Sequence, residues 1–250
     1  MPSPSAALVV VGSEVLSAKV QDENGPYAIR RLRELGVRLL AIHVVPDRLE
    51  EVAAAVDGER RRADWVFTSG GVGPTHDDVT VAAVARAVGR PLVRSPAFAE
   101  WLRTIHRRHH GGEEPPEAAL RMADLPEGVK LLGDSGFPTL CVENVVMLPG
   151  PPRFFRFQLD AIADLLVSDQ PFRLAAVYLS AGEERFAPQL AAVAAAHPAV
   201  EIGSYPRFDE GADHRVKLTV ESRDLAAVEA ALAAVLAALS AEWVVRVEGP

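Results

Sequence analysis

Residues 1–167 predict an α/β domain of three layers around a mostly parallel sheet, and residues 172–250 predict a small α+β unit. Three observations carry this reading. Short apolar runs alternate with stretches of helical spacing through the first part, which implies right-handed crossovers and helices on both faces of the sheet. The pattern changes at Ser168-Asp169-Gln170-Pro171, a run with linker chemistry. A hydrophobic content of 49% in 250 residues is enough to bury a core in one large domain and one small one.

The elements follow in order. Residues 7–11 form a short apolar strand, and 26–35 have helical spacing that Gly36 can terminate. A strand over 37–45, a helix over 49–62, a strand over 65–67 and a helix over 79–88 come next, the last with Val79, Ala82, Ala83 and Ala87 on one face. A longer helix covers 95–110, and a strand over 144–148 is stopped by Pro149-Gly150-Pro151-Pro152. The second unit reads as strand 175–179, helix 183–196, strands 200–204 and 216–221, helix 224–239 and strand 243–247, the ferredoxin-like order βαββαβ.

Composition excludes several classes. With 26 Lys and Arg against 34 Asp and Glu, the net charge of -8 argues against nucleic acid or an anionic membrane as partner. The basic clusters Arg60-Arg61-Arg62 and 103–110 read as solvated faces. Cys141 is the sole cysteine, so no intramolecular disulfide framework exists, and its strand-like surroundings suggest an inert thiol. No run approaches the roughly 18–20 consecutive apolar residues of a membrane span, and Met1-Pro2-Ser3-Pro4-Ser5 lacks signal-peptide character. A soluble, cytoplasmic protein is expected. The seven histidines lack zinc spacing, and no Gly-x-Ser-x-Gly elbow, P-loop or dinucleotide glycine fingerprint occurs.

In a parallel sheet, ligands sit beyond the carboxyl ends of the strands. Four chemical features fall there: residues 12–24, Pro46-Asp47, the loop 68–80, and residues 148–152. The loop reads Thr68-Ser69-Gly70-Gly71-Val72-Gly73-Pro74-Thr75-His76-Asp77-Asp78-Val79-Thr80. Its glycines permit positive φ and close approach to a ligand, and its hydroxyls and N–H groups suit phosphate. A tight turn from strand to helix, with Asp77 or Asp78 as the helix cap, would also account for it. Glu14, Asp22 and Asn24 offer oxygen ligands, although Asp22 or Asn24 can equally cap the next helix. Asp47 and Asp78 come from neighbouring strand ends and can hold a cation that bridges phosphate oxygens, whereas capping alone would also explain Asp47.

Together, Gly12-Ser13-Glu14-Val15-Leu16, Asp22-Glu23-Asn24, the 68–80 loop and Leu148-Pro149-Gly150-Pro151-Pro152 resemble the ordered motifs of the molybdopterin-binding (MogA/MoaB-like) domain family, in its CinA amino-terminal branch. Ile202-Gly203-Ser204-Tyr205-Pro206 and Val216-Lys217-Leu218-Thr219-Val220 are similar to part of eukaryotic FAD synthase. The resemblance implies a MogA-like fold, a nucleotide or pterin as ligand, molybdopterin among the candidates, and a homo-oligomer, dimer or trimer. For the CinA branch it implies a pyrophosphatase acting on ADP-ribose- or FAD-type diphosphates with Mg, Mn or Co. Asp47 and Asp78 would be catalytic, with Asp47, Asp77 and Asp78 as metal ligands. Gly12, Glu14, Asp22, Asn24, Thr68, Ser69, Gly70, Gly71, Gly73, Pro74, Thr75, Pro149 and Gly150 would bind the ligand. Non-catalytic binding of molybdopterin or a nucleotide, and molybdopterin adenylyl transfer, are the alternatives. Ser13 stands where the family's Gly-Asp-Glu has Asp. The amidohydrolase domain of many CinA proteins has no counterpart in these 250 residues.

Overall fold

The computed structural model describes residues 4–133, 136–168, 170–209 and 211–250; Met1, Pro2 and Ser3 and the linker residue Asp169 lie outside them. The chain divides into two units, residues 1–169 and 170–250.

In the first unit the order is β1 (Ser5–Val11), α1 (Ser13–Leu16), α2 (Asn24–Glu34), β2 (Arg38–Val45), α3 (Leu49–Arg60), β3 (Trp65–Ser69), α4 (Thr80–Ala87), β4 (Leu92–Arg94), α5 (Pro96–His109), α6 (Glu117–Leu120), β5 (Asp124–Pro126), β6 (Lys130–Leu132), β7 (Thr139–Val142), β8 (Val145–Leu148), α7 (Pro152–Ala161) and α8 (Ala163–Leu166). The sheet runs β2-β1-β3-β8-β7-β6. Its first four strands are parallel, and β7 and β6 join antiparallel. β1 is buried along its whole length because it is central and covered on both faces, so its apolar run shows no alternation. On one face Val9, Val52, Val56, Val66 and Val84 pack together; on the other Leu8, Leu32, Phe67, Phe155 and Leu159 do. These are the three expected layers.

Two local features depart from the sequence reading. The Pro-rich run after β8 starts a helix as well as stopping a strand, because Pro151 occupies the N-cap position of α7 and Pro152 its first turn, where a missing N–H costs nothing. Neither Asp77 nor Asp78 caps α4. Val79 stands at the cap position, and the Asp78 carboxylate is engaged inside its own loop.

The start of β1 is tied to the residue preceding β3. Both the N–H and the hydroxyl of Ser5 donate to Asp64 Oδ2 at 2.7 Å, and the Asp64 N–H donates back to Ser5 Oγ at 3.2 Å. The Ser5 hydroxyl, followed by its N–H, holds the Asp64 carboxyl below its ordinary range. A depressed folded value means that the stabilisation is complete above the unfolded value of about 3.9 and is lost as pH falls through the folded one. In Asp64→Asn, the deficit in urea midpoint should be largest at neutral pH and shrink as pH drops below about 4. A deficit independent of pH would refute this.

The second unit consists of β9 (Arg173–Leu179), α9 (Ala187–Ala196), β10 (Glu201–Pro206), β11 (Val216–Ser222), α10 (Leu225–Ala238) and β12 (Val244–Glu248). Its sheet, β10-β11-β9-β12, is antiparallel throughout, the ferredoxin-like arrangement. Alternate residues Val216, Leu218 and Val220 of β11 face a core that includes Val177, Phe186, Val228 and Val235. Asp224 caps α10, accepting from the N–H groups of Ala226 at 2.9 Å and Ala227 at 3.3 Å. Among the described residues, no helix is long and apolar enough to cross a membrane.

Candidate active site

The glycine loop is built where β1, β3 and β8 end. The Gly70 N–H donates to Leu148 O at 3.0 Å, continuing the sheet past the last residue of β3. Gly70 and Gly71 then take φ values of +98° and +68°, a region that side chains disfavour. A Cβ on Gly70 would stand 2.4 Å from Val11 O, and one on Gly71 2.3 Å from Thr80 Oγ1. Thr80, the first residue of α4, fastens the turn: its hydroxyl donates to Gly70 O at 2.8 Å and its N–H to Gly71 O at 2.9 Å. The N–H groups of Gly71, Val72 and Gly73 donate to nothing among the described residues. Successive free N–H groups in such a turn suit an anion.

The acidic residues divide by what holds them. The Thr75 N–H donates to Asp78 Oδ2 at 2.8 Å, and the Thr75 hydroxyl lies 2.5 Å from Asp78 Oδ2 and 2.6 Å from Asp77 Oδ1. The Thr75 hydroxyl holds the Asp77 carboxyl below its ordinary range. Asp47 does not cap a helix of its own. Its Oδ2 accepts the Ser13 N–H at 2.7 Å while its N–H donates to Ser13 Oγ at 3.3 Å. Ser13 thus positions Asp47 from the place where the family carries an acid.

Asp22 accepts from the N–H groups of Asn24 at 2.9 Å and Gly25 at 3.0 Å, satisfying the first turn of α2. Asn24 is buried, and its Nδ2 donates to Ser69 Oγ at 2.8 Å and Gly150 O at 2.7 Å. Thr68 and Ser69 are buried within β3. Asn24 and Ser69 brace the loop from behind, Asp22 holds the first turn of α2, and Thr68 is enclosed in the sheet.

A cavity of about 560 Å³ opens beside the loop. Of the expected ligand residues, Glu14, Asp47, Gly70, Gly71, Gly73, Asp77, Asp78, Pro149 and Gly150 line it, whereas Gly12, Asp22, Asn24, Thr68, Ser69, Pro74 and Thr75 do not. Pro74 and Thr75 line a neighbouring cavity instead. The rest of the main wall is largely apolar, with Phe98, Trp101, Leu102, Met122, Phe137 and Met147, and includes the buried Gln158 side chain. The Phe98 and Trp101 rings stack at 5.1 Å, and Phe137 meets Trp101 edge-on at 4.9 Å. Trp101 Nε1 donates to Gly136 O at 2.7 Å, holding the segment before β7 against α5. The aromatic wall was missed from sequence. Its signal was Phe98, Trp101 and Leu102 at i, i+3 and i+4 in a predicted helix, a spacing that a core face shares.

No three His, Cys, Asp or Glu side chains among the described residues close on one point. Four carboxylates, Glu14, Asp47, Asp77 and Asp78, line the cavity. On Asp47 and Asp78 the hydrogen bonds all fall on Oδ2, which leaves Oδ1 of each for a hard ion completed by ligand oxygens. Cys141 is buried in β7, and desolvation pushes its thiol up, out of reactive range.

Residues 7–168 match the family described as probable molybdopterin binding domain. The chain belongs to that family. Residues 171–248 of this molybdopterin-binding-domain protein match the FAD synthase middle domain. A probable FAD synthase of Caenorhabditis briggsae is 34% identical over 250 residues, covering 90% of this chain and 48% of that protein. A CinA-like protein of Mycobacterium sp. (strain MCS) is 40% identical over 166 residues, 60% of this chain and 38% of that one. The crystal structure of CinA from Thermoplasma acidophilum is similar with a TM-score of 0.59 and 26% identity, over 66% of this chain and 99% of that chain. The chain spans about half the length of the nematode relative. The first unit is therefore a CinA-like molybdopterin-binding domain, followed by a unit shared with FAD synthase.

Proposed function

We propose that this protein hydrolyses the diphosphate bridge of a nucleotide such as ADP-ribose or FAD. The observation that carries the reading is one cavity whose wall is part aromatic and part glycine and carboxylate. Its volume of about 560 Å³ lies in the range of small-molecule sites. Phe98, Trp101 and Phe137 offer a face to a fused planar ring, and the free N–H groups of Gly71, Val72 and Gly73 offer donors to phosphate.

Hydrolysis adds water across the bridge: a water oxygen bonds to one phosphorus, the bridging P–O bond breaks, and a proton is released. ADP-ribose would give AMP and ribose phosphate; FAD would give AMP and FMN. The glycine N–H groups stabilise charge that grows on the phosphate oxygens, at no reorganisation cost because Thr80 and Leu148 already fix the loop. Asp47 and Asp78 would hold Mg, Mn or Co. Such an ion, when bound, neutralises phosphate charge and acidifies water. Support also comes from relatives named FAD synthase and CinA-like protein.

Incubation with ADP-ribose and with FAD in Mg²⁺, Mn²⁺ or Co²⁺ should release AMP. No AMP above an Asp78→Asn control would overturn the reading. Ser13 in place of the family's Asp favours a second one, non-catalytic binding of molybdopterin or a nucleotide; adenylyl transfer to molybdopterin is a third. Ligand-induced thermal stabilisation without turnover would select the binding protein.

A further inference from the structure

Resting on the diphosphate reading, we infer that Arg121 and the second cavity it lines take the distal half of the substrate, so that the diphosphate spans the wall containing Asp78. That cavity, about 480 Å³, shares Val72, Gly73, Asp78 and Met122 with the first. The glycine loop is thus a partition with a space on either side. A dinucleotide has two halves joined at a diphosphate, and a partition carrying phosphate donors and a carboxylate is where that joint belongs.

Charge separates the two spaces. Glu14, Asp47, Asp77 and Asp78 line the first, and among the described residues no Lys, Arg or His does. Arg121 lines the second, beside Thr75 and His76. Asp124 also lines it, but Arg94 engages that carboxylate at 2.5 Å while also pairing with Glu117 at 3.0 Å. Arg121 itself forms no ion pair or side-chain hydrogen bond among the described residues. It is an exposed cation on the cavity wall without a protein partner among the described residues.

The backbone that carries it is tied down. Arg121 opens the 3-10 turn Arg121–Ala123, the Ser95 N–H donates to Ala123 O at 2.7 Å, and Ala123 and Leu125 are fully buried. The Arg121 side chain is exposed and free of protein partners on that fixed backbone, and its guanidinium is a planar fork that matches two oxygens of one phosphate. The first cavity then takes one phosphate on the glycine N–H groups and the second takes the other on Arg121. Arg121 discriminates a diphosphate from a monophosphate.

Steady-state kinetics on the full chain with ADP-ribose tests this, with AMP as a competitive inhibitor. Arg121→Gln should raise KM about 10- to 100-fold, the effect of losing a charged hydrogen-bond pair, while kcat and the inhibition constant of AMP stay within about 3-fold. Arg121→Lys should recover part of the loss. An unchanged KM, or an equal rise for ADP-ribose and AMP, overturns the assignment. Should the wild-type chain turn nothing over, calorimetric titration with ADP-ribose and AMP separates the two ideas: loss of preference for the diphosphate in Arg121→Gln upholds the Arg121 site while the hydrolase reading fails, and an unchanged preference overturns the site as well.

Discussion

Gly70→Ala is expected to destabilise the first unit by about 3 kcal/mol or more, the largest single-residue stability effect in the loop. Two costs add. Holding an L side chain near φ +98° costs about 1–2 kcal/mol. The new Cβ would also stand 2.4 Å from Val11 O, which is backbone rather than the movable end of a side chain. Val11 is paired to Val45 in the sheet, and Gly150 closes the opposite side, its Cα 3.9 Å from the same Cβ position. Relief therefore requires parting strands, against a total domain stability of about 5–15 kcal/mol. Gly73→Ala is the contrasting case. Gly73 has no positive φ, and its added Cβ meets only the Asp78 carboxylate, at 2.7 Å. Its stability should stay within about 1 kcal/mol of wild type while the displaced carboxylate costs activity. Urea unfolding measures both, and a Gly70→Ala midpoint equal to wild type would show that the strand ends yield freely.

The two variants separate what sequence alone conveys from what it does not. The central strands were legible because burial on both faces leaves runs such as Leu8 to Val11 wholly apolar. The three-residue strands β4, β5 and β6 were not, since three residues carry no period, and their pairing is set by partners far away in the chain. α7 was hidden by Pro151 and Pro152, which end one element and begin the next. The cavity's carboxylates were legible through the rule that places ligands at strand ends. Its aromatic wall was not, because Phe98 and Trp101 have the spacing of a core face. Asn24 and Ser69 show bonds that the sequence does not convey. Both look like ligand groups in the sequence, and both are consumed in holding β3 to the 150 turn. Ser13 is subtler: the sequence shows an acid missing, and the structure shows a hydroxyl and an N–H that aim another acid, Asp47.

Replacing Asp78 with asparagine should lower kcat/KM for diphosphate hydrolysis by about 100-fold or more while leaving the fold intact. The amide keeps an oxygen that can accept the Thr75 N–H, so the 75–78 turn survives and only the charge is lost. Asp78→Ala removes the acceptor too and should add about 1 kcal/mol of instability to the same kinetic loss. Asp47→Asn follows the same logic, because an amide oxygen still receives the Ser13 N–H at its 2.7 Å partner position. Asp77 differs. Its carboxylate is held within the turn by the Thr75 hydroxyl at 2.6 Å, with the His76 ring at 3.8 Å, at the exposed edge of the cavity. Asp77→Asn should lose less than about 10-fold, and raising the concentration of Mg²⁺ should recover part of that loss. No metal concentration should rescue Asp78→Asn, since an ion bound there would lack one of its two fixed carboxylates. If Asp78→Asn retains near-wild-type turnover at saturating metal, Asp78 is a brace for the glycine loop and the reacting phosphate is held elsewhere.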